Sequence, residues 1–236
     1  MNKNDLLKLR DNATRGAILL NVLLAAVSLF VNGFGIHLTI RASIGAAPWD
    51  VFSLGLSHTL GILYGTASVI IAVTVLLIDV LLKEPIGLAM FIDAVLVGKS
   101  VDFFNWLDII PTPRTIAGSI VITVLGLFII GYTQATYMMA SLGCGPRDTL
   151  LVGLKKRLKK LPIGLVSILM LAAVTAIGYL LGGPVGIGTL ICAFCAGPIM
   201  QFAFRTLSFD AVSIRHQHLL ASLKVLFARN RTDCAA

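Results

Sequence analysis

Polar and charged positions along this chain are sparse and gathered between long apolar runs, and the lengths of those runs set the architecture. The stretches at about 16–40, 65–83, 87–106, 115–140, 163–182 and 186–205 are near the roughly 20 residues that cross a hydrocarbon core of about 30 Å. The pattern predicts an all-α membrane protein with six transmembrane helices. Two further apolar segments, 48–60 and 146–160, are too short to cross. A helix of that length, at 1.5 Å per residue, reaches only about 20 Å, so each is read as a non-spanning half-helix. Pro48 and Pro146 suit a first helical turn, whose amides lack intrahelical partners. Asp50 and Asp148, two positions on, match the positive end of the helix dipole, and Gly45 and Gly143 let the chain turn sharply beforehand. Broken helices at membrane depth survive only against protein or a water-filled cavity, so this motif is expected to point inward. The structural alternative lays both short segments flat on the membrane surfaces.

The two half-helix motifs, Gly45-Ala46-Ala47-Pro48-Trp49-Asp50 and Gly143-Cys144-Gly145-Pro146-Arg147-Asp148, are copies 98 residues apart. Gly33 and Gly131, Gly55 and Gly153, and Leu56 and Leu154 keep that offset. After one inserted residue, Gly65 aligns with Gly164, Ser68 with Ser167, Pro85-Ile86-Gly87 with Pro184-Val185-Gly186, Gly98 with Gly197, and Phe103 with Phe202. The chain therefore divides into a first repeat with a basic N-terminus (1–108), a second repeat (109–210) and a short tail (211–236). Three crossings per repeat return the second unit from the opposite side, so the repeats are expected to be inverted, as in many secondary transporters.

Composition supports the membrane reading: 57% of residues are hydrophobic and 13% charged, against roughly a quarter charged in soluble domains. Lys3, Lys8, Arg10 and Arg15, Lys83, the run Lys155-Lys156-Arg157 with Lys159-Lys160, and the basic tail fall on one side under a six-span topology. The positive-inside rule makes that side cytoplasmic and puts both termini there, in a bacterial inner membrane. The net charge of +8 then reflects topology and an anionic inner leaflet, and no nucleic-acid partner is needed. The tail 213–228 reads as an amphipathic helix lying on that leaflet.

Ionisable residues inside spans are costly and mark candidate pathways. Asp50 and Asp148 lead, as helix caps or as direct ligands for a substrate, cation or proton. The residues between each proline and aspartate differ, Trp49 against Arg147. Trp49 fits an interfacial anchor, and Arg147 fits either a structural ion pair or a donor to an anionic solute. With Arg147 beside Asp148 and no cation beside Asp50, Asp50 is the better candidate for reversible protonation. Asp93 lacks a nearby partner in sequence, whereas Lys99 and Asp102, and Asp79 and Lys83, are spaced to pair along a helix. His37 and Arg41 share a face of the first span, and Gln201 is an isolated polar side chain in the last. Cys192 and Cys195 read as small buried hydrophobes. Pro184-Val185-Gly186-Ile187-Gly188-Thr189 lacks the strand and lysine of a phosphate loop. No metal site, cofactor or catalytic set emerges, so an enzyme is not expected.

The two motifs, with Leu181-Gly182-Gly183-Pro184-Val185-Gly186-Ile187-Gly188-Thr189, resemble the YczE/YyaS/YitT group of bacterial integral membrane proteins, in its YczE-like branch. The resemblance covers about residues 16–206. It implies a bacterial inner-membrane protein but transfers neither a substrate nor a set of functional residues. The function expected from the residues is secondary transport of a small solute, with proton coupling open. The alternative is a non-transporting scaffold or accessory protein for an enzyme complex. Whether the chain works as a homodimer is left open by the sequence.

Overall fold

The computed structural model describes residues 15–207 apart from Cys144, so the expected amphipathic tail lies outside the described residues. Eight helices follow one another without a strand among the described residues: α1 (Arg15–Arg41), α2 (Pro48–Leu60), α3 (Tyr64–Leu81), α4 (Leu88–Leu107), α5 (Ile116–Met139), α6 (Pro146–Arg157), α7 (Ile163–Leu180) and α8 (Ile187–Thr206). Five of them, α1, α3, α5, α7 and α8, are long and apolar enough to cross a membrane. The 20-residue α4 matches them in length but carries Asp93, Lys99 and Asp102. Large apolar side chains cover the outside, with Trp106 79% and Leu180 83% exposed, a surface suited to lipid rather than water.

The short helices are built as their sequences dictate. Pro48 and Pro146 each stand in the first turn, and both helices follow an extended residue, Ala47 and Gly145 respectively. Gly61, in the left-handed region at φ 64°, ends α2, and its amide donates to Ser57 O. The second short helix stops at Arg157, earlier than the expected 160, because Leu158 leaves helical geometry and Lys155 Nζ ties down Lys159 O and Leu161 O.

Backbone irregularities recur at matching places in the two halves. Ser43 and Ser141 both have φ 56°, Gly45 and Gly143 have φ 107° and 120°, and Lys83 and Gly182 are both left-handed. Each turn before a half-helix docks on the turn before the last helix of the other half. Gly188 N donates to Ile44 O (2.7 Å) and Ala46 N to Pro184 O (3.3 Å); reciprocally, Ala89 N donates to Leu142 O (3.1 Å). Helix contacts exchange in the same way: α1 packs on α5, α1 on α4 as α5 on α8, and α2 on α7 as α3 on α6. Close glycine approaches make these crossings. A Cβ at Gly178 would stand 2.6 Å from Phe52 Cα, and one at Gly126 would stand 2.7 Å from Gly35 O.

Candidate functional site: a polar cluster where the half-helices begin

The first turns of α2 and α6 carry the expected aspartates into the interior. Asp50 is 3% exposed, and Tyr64, at the start of α3, donates its hydroxyl to Asp50 Oδ1 at 2.8 Å. Asp148 Oδ2 accepts from Gln134 Nε2 of α5 at 3.2 Å. Asp93 of α4 lies against the entry to α6: a Cβ at Gly145 would be 2.8 Å from Asp93 Oδ2 and 3.9 Å from Asp148 Oδ2. Glycine at 145 is thus what lets Asp93 approach the α6 N-terminus, where free amides favour negative charge.

Arg147 joins the parts. Its guanidinium lies 5.2 Å from the Trp49 ring centroid and donates to Ser68 Oγ at 3.5 Å, reaching from α6 to α2 and α3. It also sits within electrostatic reach of Asp50, Asp93 and Asp148. The two motif residues that differ between the halves therefore meet. Trp49 is half-buried beneath a cation and does not serve as an outward anchor. Arg147 forms no close ion pair with Asp148; it is shared among three carboxylates and an aromatic face. A cation over a ring gains about 0.5–2 kcal/mol depending on desolvation, and Arg147 has both a ring and carboxylates in reach.

The cluster also follows the duplication. Cys192 aligns with Asp93 and lies within electrostatic reach of Asp50, as Asp93 does of Asp148. Cys192 is a buried thiol, in keeping with its expected packing role.

Other expected candidates lie elsewhere. His37 is buried, with Nδ1 2.8 Å from Asn105 Oδ1 and its ring beside Phe34 and Phe104. Arg41 pairs with Asp108 and donates from Nε to Ile110 O at 2.9 Å. Both thus tie the end of α1 to the end of α4. Gln201 is exposed on α8. Asp79 does not form the pair with Lys83 that its spacing suggested: Lys83 turns left-handed, and Asp79 is fully buried with both carboxylate oxygens lacking a hydrogen-bond partner. The basic residue that matters at that end is Lys156, which pairs with Glu84. Lys99 and Asp102 do approach, at 3.9 Å.

Tyr64, Ser68 and Gln134 are site residues that sequence reasoning missed. The duplication held a signal for the first: Tyr64 aligns with Ile163, a polar-for-apolar break beside the break at Trp49 and Arg147. Gln134 carries the same kind of sign, a polar side chain in an apolar span that the 98-residue offset aligns with Ile36.

Fold and site define a helical, multi-pass membrane protein whose two short helices open onto an interior polar cluster. Residues 19–205 match a family described as a family of unknown function, DUF6198, and the chain belongs to it. It is similar to the uncharacterized membrane protein YczE of Bacillus subtilis (strain 168), 33% identical over 181 residues, 74% of this chain and 81% of the relative. An uncharacterized protein of Haemophilus influenzae is 30% identical over 183 residues, covering 78% of this chain and 82% of the relative. The uncharacterized protein YyaS of Bacillus subtilis (strain 168) is 28% identical over 183 residues, covering 75% and 89%. These relatives bear out the YczE-like resemblance. No solved structure matches.

Proposed function

We propose that this protein is a secondary transporter of a small solute, working through two inverted three-span repeats with the Asp50–Arg147–Asp148–Asp93 cluster on the path. The sixth crossing in this reading is α4, whose three charged residues face partners at Gly65, Thr66 and the α6 entry. The protein sits in the bacterial inner membrane with both termini in the cytoplasm, as the distribution of lysine and arginine suggests. One observation carries the proposal. Half-helix starts from separate halves of the chain converge on one set of ionisable side chains, Asp50 buried and Asp93, Arg147 and Asp148 half-buried, while their turns dock reciprocally on the opposite half. Secondary transporters place substrate and coupling-ion sites at such repeat interfaces. An interior with three carboxylates and one guanidinium holds more negative than positive groups, which gives a proton or cation a reason to bind there.

Purified protein in sealed liposomes, given a broad mixture of small solutes with and without an imposed proton gradient, tests the reading. Accumulation that Arg147→Gln abolishes, with the variant still folded and inserted, is the expected result. Failure of every solute to move, together with a stable enzyme partner in gentle pull-downs, would replace transport with the scaffold role.

A further inference from the structure

The two halves match in frame but differ at one seam. In the first half, α3 and α4 are packed together. Gly65 and Gly98 face each other so closely that a Cβ at Gly98 would lie 2.8 Å from Gly65 O, and Asp102 Oδ1 accepts from Gly65 N at 2.8 Å. In the second half the matching helices, α7 and α8, barely touch. Gly164 and Gly197, the counterparts of Gly65 and Gly98, are exposed, and a Cβ at either would meet nothing within 4 Å. Gln201 stands where the duplication puts Asp102 and is exposed too. Its amide oxygen can accept from Gly164 N just as Asp102 accepts from Gly65 N. The parts of the seam that holds α3 to α4 are thus present between α7 and α8, unused. Ile163, beside Gly164, also lines an open hollow of 420 Å³ between α6 and the start of α7, with Val152, Lys155, Lys156 and Lys159.

We propose that α7 and α8 form a moving gate that closes through Gly164, Gly197 and Gln201 while the α3–α4 seam through Gly65, Gly98 and Asp102 opens, the two closures excluding one another. Its purpose rests on the transport reading, but the closure itself concerns helix packing and needs no solute. Three features favour motion on the α8 side. α8 stays anchored to α5 where Ile199 meets Gly131, so it can pivot without leaving the bundle. Pro198 interrupts its hydrogen-bond ladder next to Gly197, a usual point of bending. The α7–α8 connection is short, which keeps Leu180 and Ile187 together while Gly164 and Gly197 move apart or together.

The test replaces Cys144, Cys192, Cys195 and Cys234 by alanine and introduces cysteine pairs, with oxidation in native membranes. Ser68 Cβ lies 3.2 Å from a Cβ at Gly98, near the roughly 3.5–4.5 Å of a disulfide, so Ser68→Cys with Gly98→Cys should bridge in the present state. Ser167→Cys with Gly197→Cys should bridge only when the second seam closes. The expected result is an intramolecular disulfide from either pair, with each bridge preventing the other in the four-cysteine protein. Gly98→Cys crowds Gly65 and can impair folding, so spin labels at Ile163→Cys and Phe202→Cys, both exposed, give a second measure. Two distance populations are expected, and Gly197→Leu should remove the shorter. Absence of the 167–197 bridge with one distance population that Gly197→Leu leaves unchanged would overturn the gate. Simultaneous full bridging of both pairs would overturn mutual exclusion. A disulfide between two copies from Gly197→Cys alone would assign the face to a dimer. A closing gate with no solute moved would sink transport and leave this inference standing; a static seam with transport intact would do the reverse.

Discussion

Replacing Gly178 by alanine tests whether the α2 half-helix is held by backbone-to-backbone contact with α7. The added methyl would sit 2.6 Å from Phe52 Cα, 2.6 Å from Phe52 N and 2.8 Å from Val51 C. Ordinary carbon contacts lie at about 3.5–4.0 Å, so the helices must separate by about 1 Å. No side-chain rotamer can relieve the clash, because all three atoms belong to the α2 backbone. Overpacking costs about 1–3 kcal/mol, and a backbone-limited site belongs near the upper end. Alanine recovers about 0.5–1 kcal/mol of helix propensity relative to glycine, leaving a net loss of about 2 kcal/mol. Gly197→Ala is the matched control. It is also mid-helix and meets nothing within 4 Å beyond its chain neighbours; Pro198 follows it and disfavours a Cβ there, which offsets part of the propensity gain of about 0.5–1 kcal/mol and leaves a small net change. Unfolding in mixed micelles by titrated sodium dodecyl sulfate, followed by tryptophan fluorescence, reads both, and Trp49 reports directly because it lies on α2. A neutral or stabilised Gly178→Ala, or a Gly197→Ala as damaging as Gly178→Ala, would refute this account of the crossings.

Tyr64→Phe removes the hydroxyl that satisfies buried Asp50 and should cost about 1–3 kcal/mol in the same unfolding assay, with Tyr64→Leu costing more through lost ring packing. Trp49→Leu takes the ring from beneath Arg147; a double-mutant cycle with Arg147→Gln should return a coupling of about 0.5–2 kcal/mol, and additive effects would deny the stacking. Lys156→Met leaves Glu84 buried without its cation, so it should destabilise more than the double variant Lys156→Met with Glu84→Gln, a ranking read by thermal unfolding in detergent. Asp79→Ala deletes two carboxylate oxygens that have no hydrogen-bond partner and should be tolerated within about 1 kcal/mol, while Asp50→Ala at comparable burial should not.

Helix positions were legible because a lipid-facing helix must be apolar over a length set by the bilayer, and each expected segment recurs within a few residues of its predicted ends. The half-helices were legible for a different reason. Proline in the first turn and a glycine able to take positive φ leave a local signature that packing does not alter, as Gly45 and Gly143 show. Side-chain partners were legible only where spacing along one helix decided them, and then only in part. Lys99 and Asp102 approach, but Asp79 and Lys83 do not, because Lys83 leaves the helix before the pair can form. Contacts across the repeat interface carry no such local record. The Trp49–Arg147 stack joins residues in different halves, and Tyr64 reaches Asp50 from a separate helix.

The conserved features of the duplication and its divergent ones have different physical jobs. What the halves share is backbone: left-handed turns, glycine crossings and the reciprocal docking of Ile44 with Gly188 and of Leu142 with Ala89. What they do not share is chemistry at the cluster, where Trp49, Tyr64 and Cys192 stand against Arg147, Ile163 and Asp93. A symmetric frame makes two arrangements of the same packing close in energy, since each can use the contacts the other gives up. In the proposed transporter, an asymmetric site would bind the solute with different strength in the two arrangements, and only such a difference lets binding shift their populations. Arg147 is where that difference should concentrate: it lies on one half-helix, stacks on the other and faces carboxylates from both halves, so any rotation of one repeat against the other changes its partners.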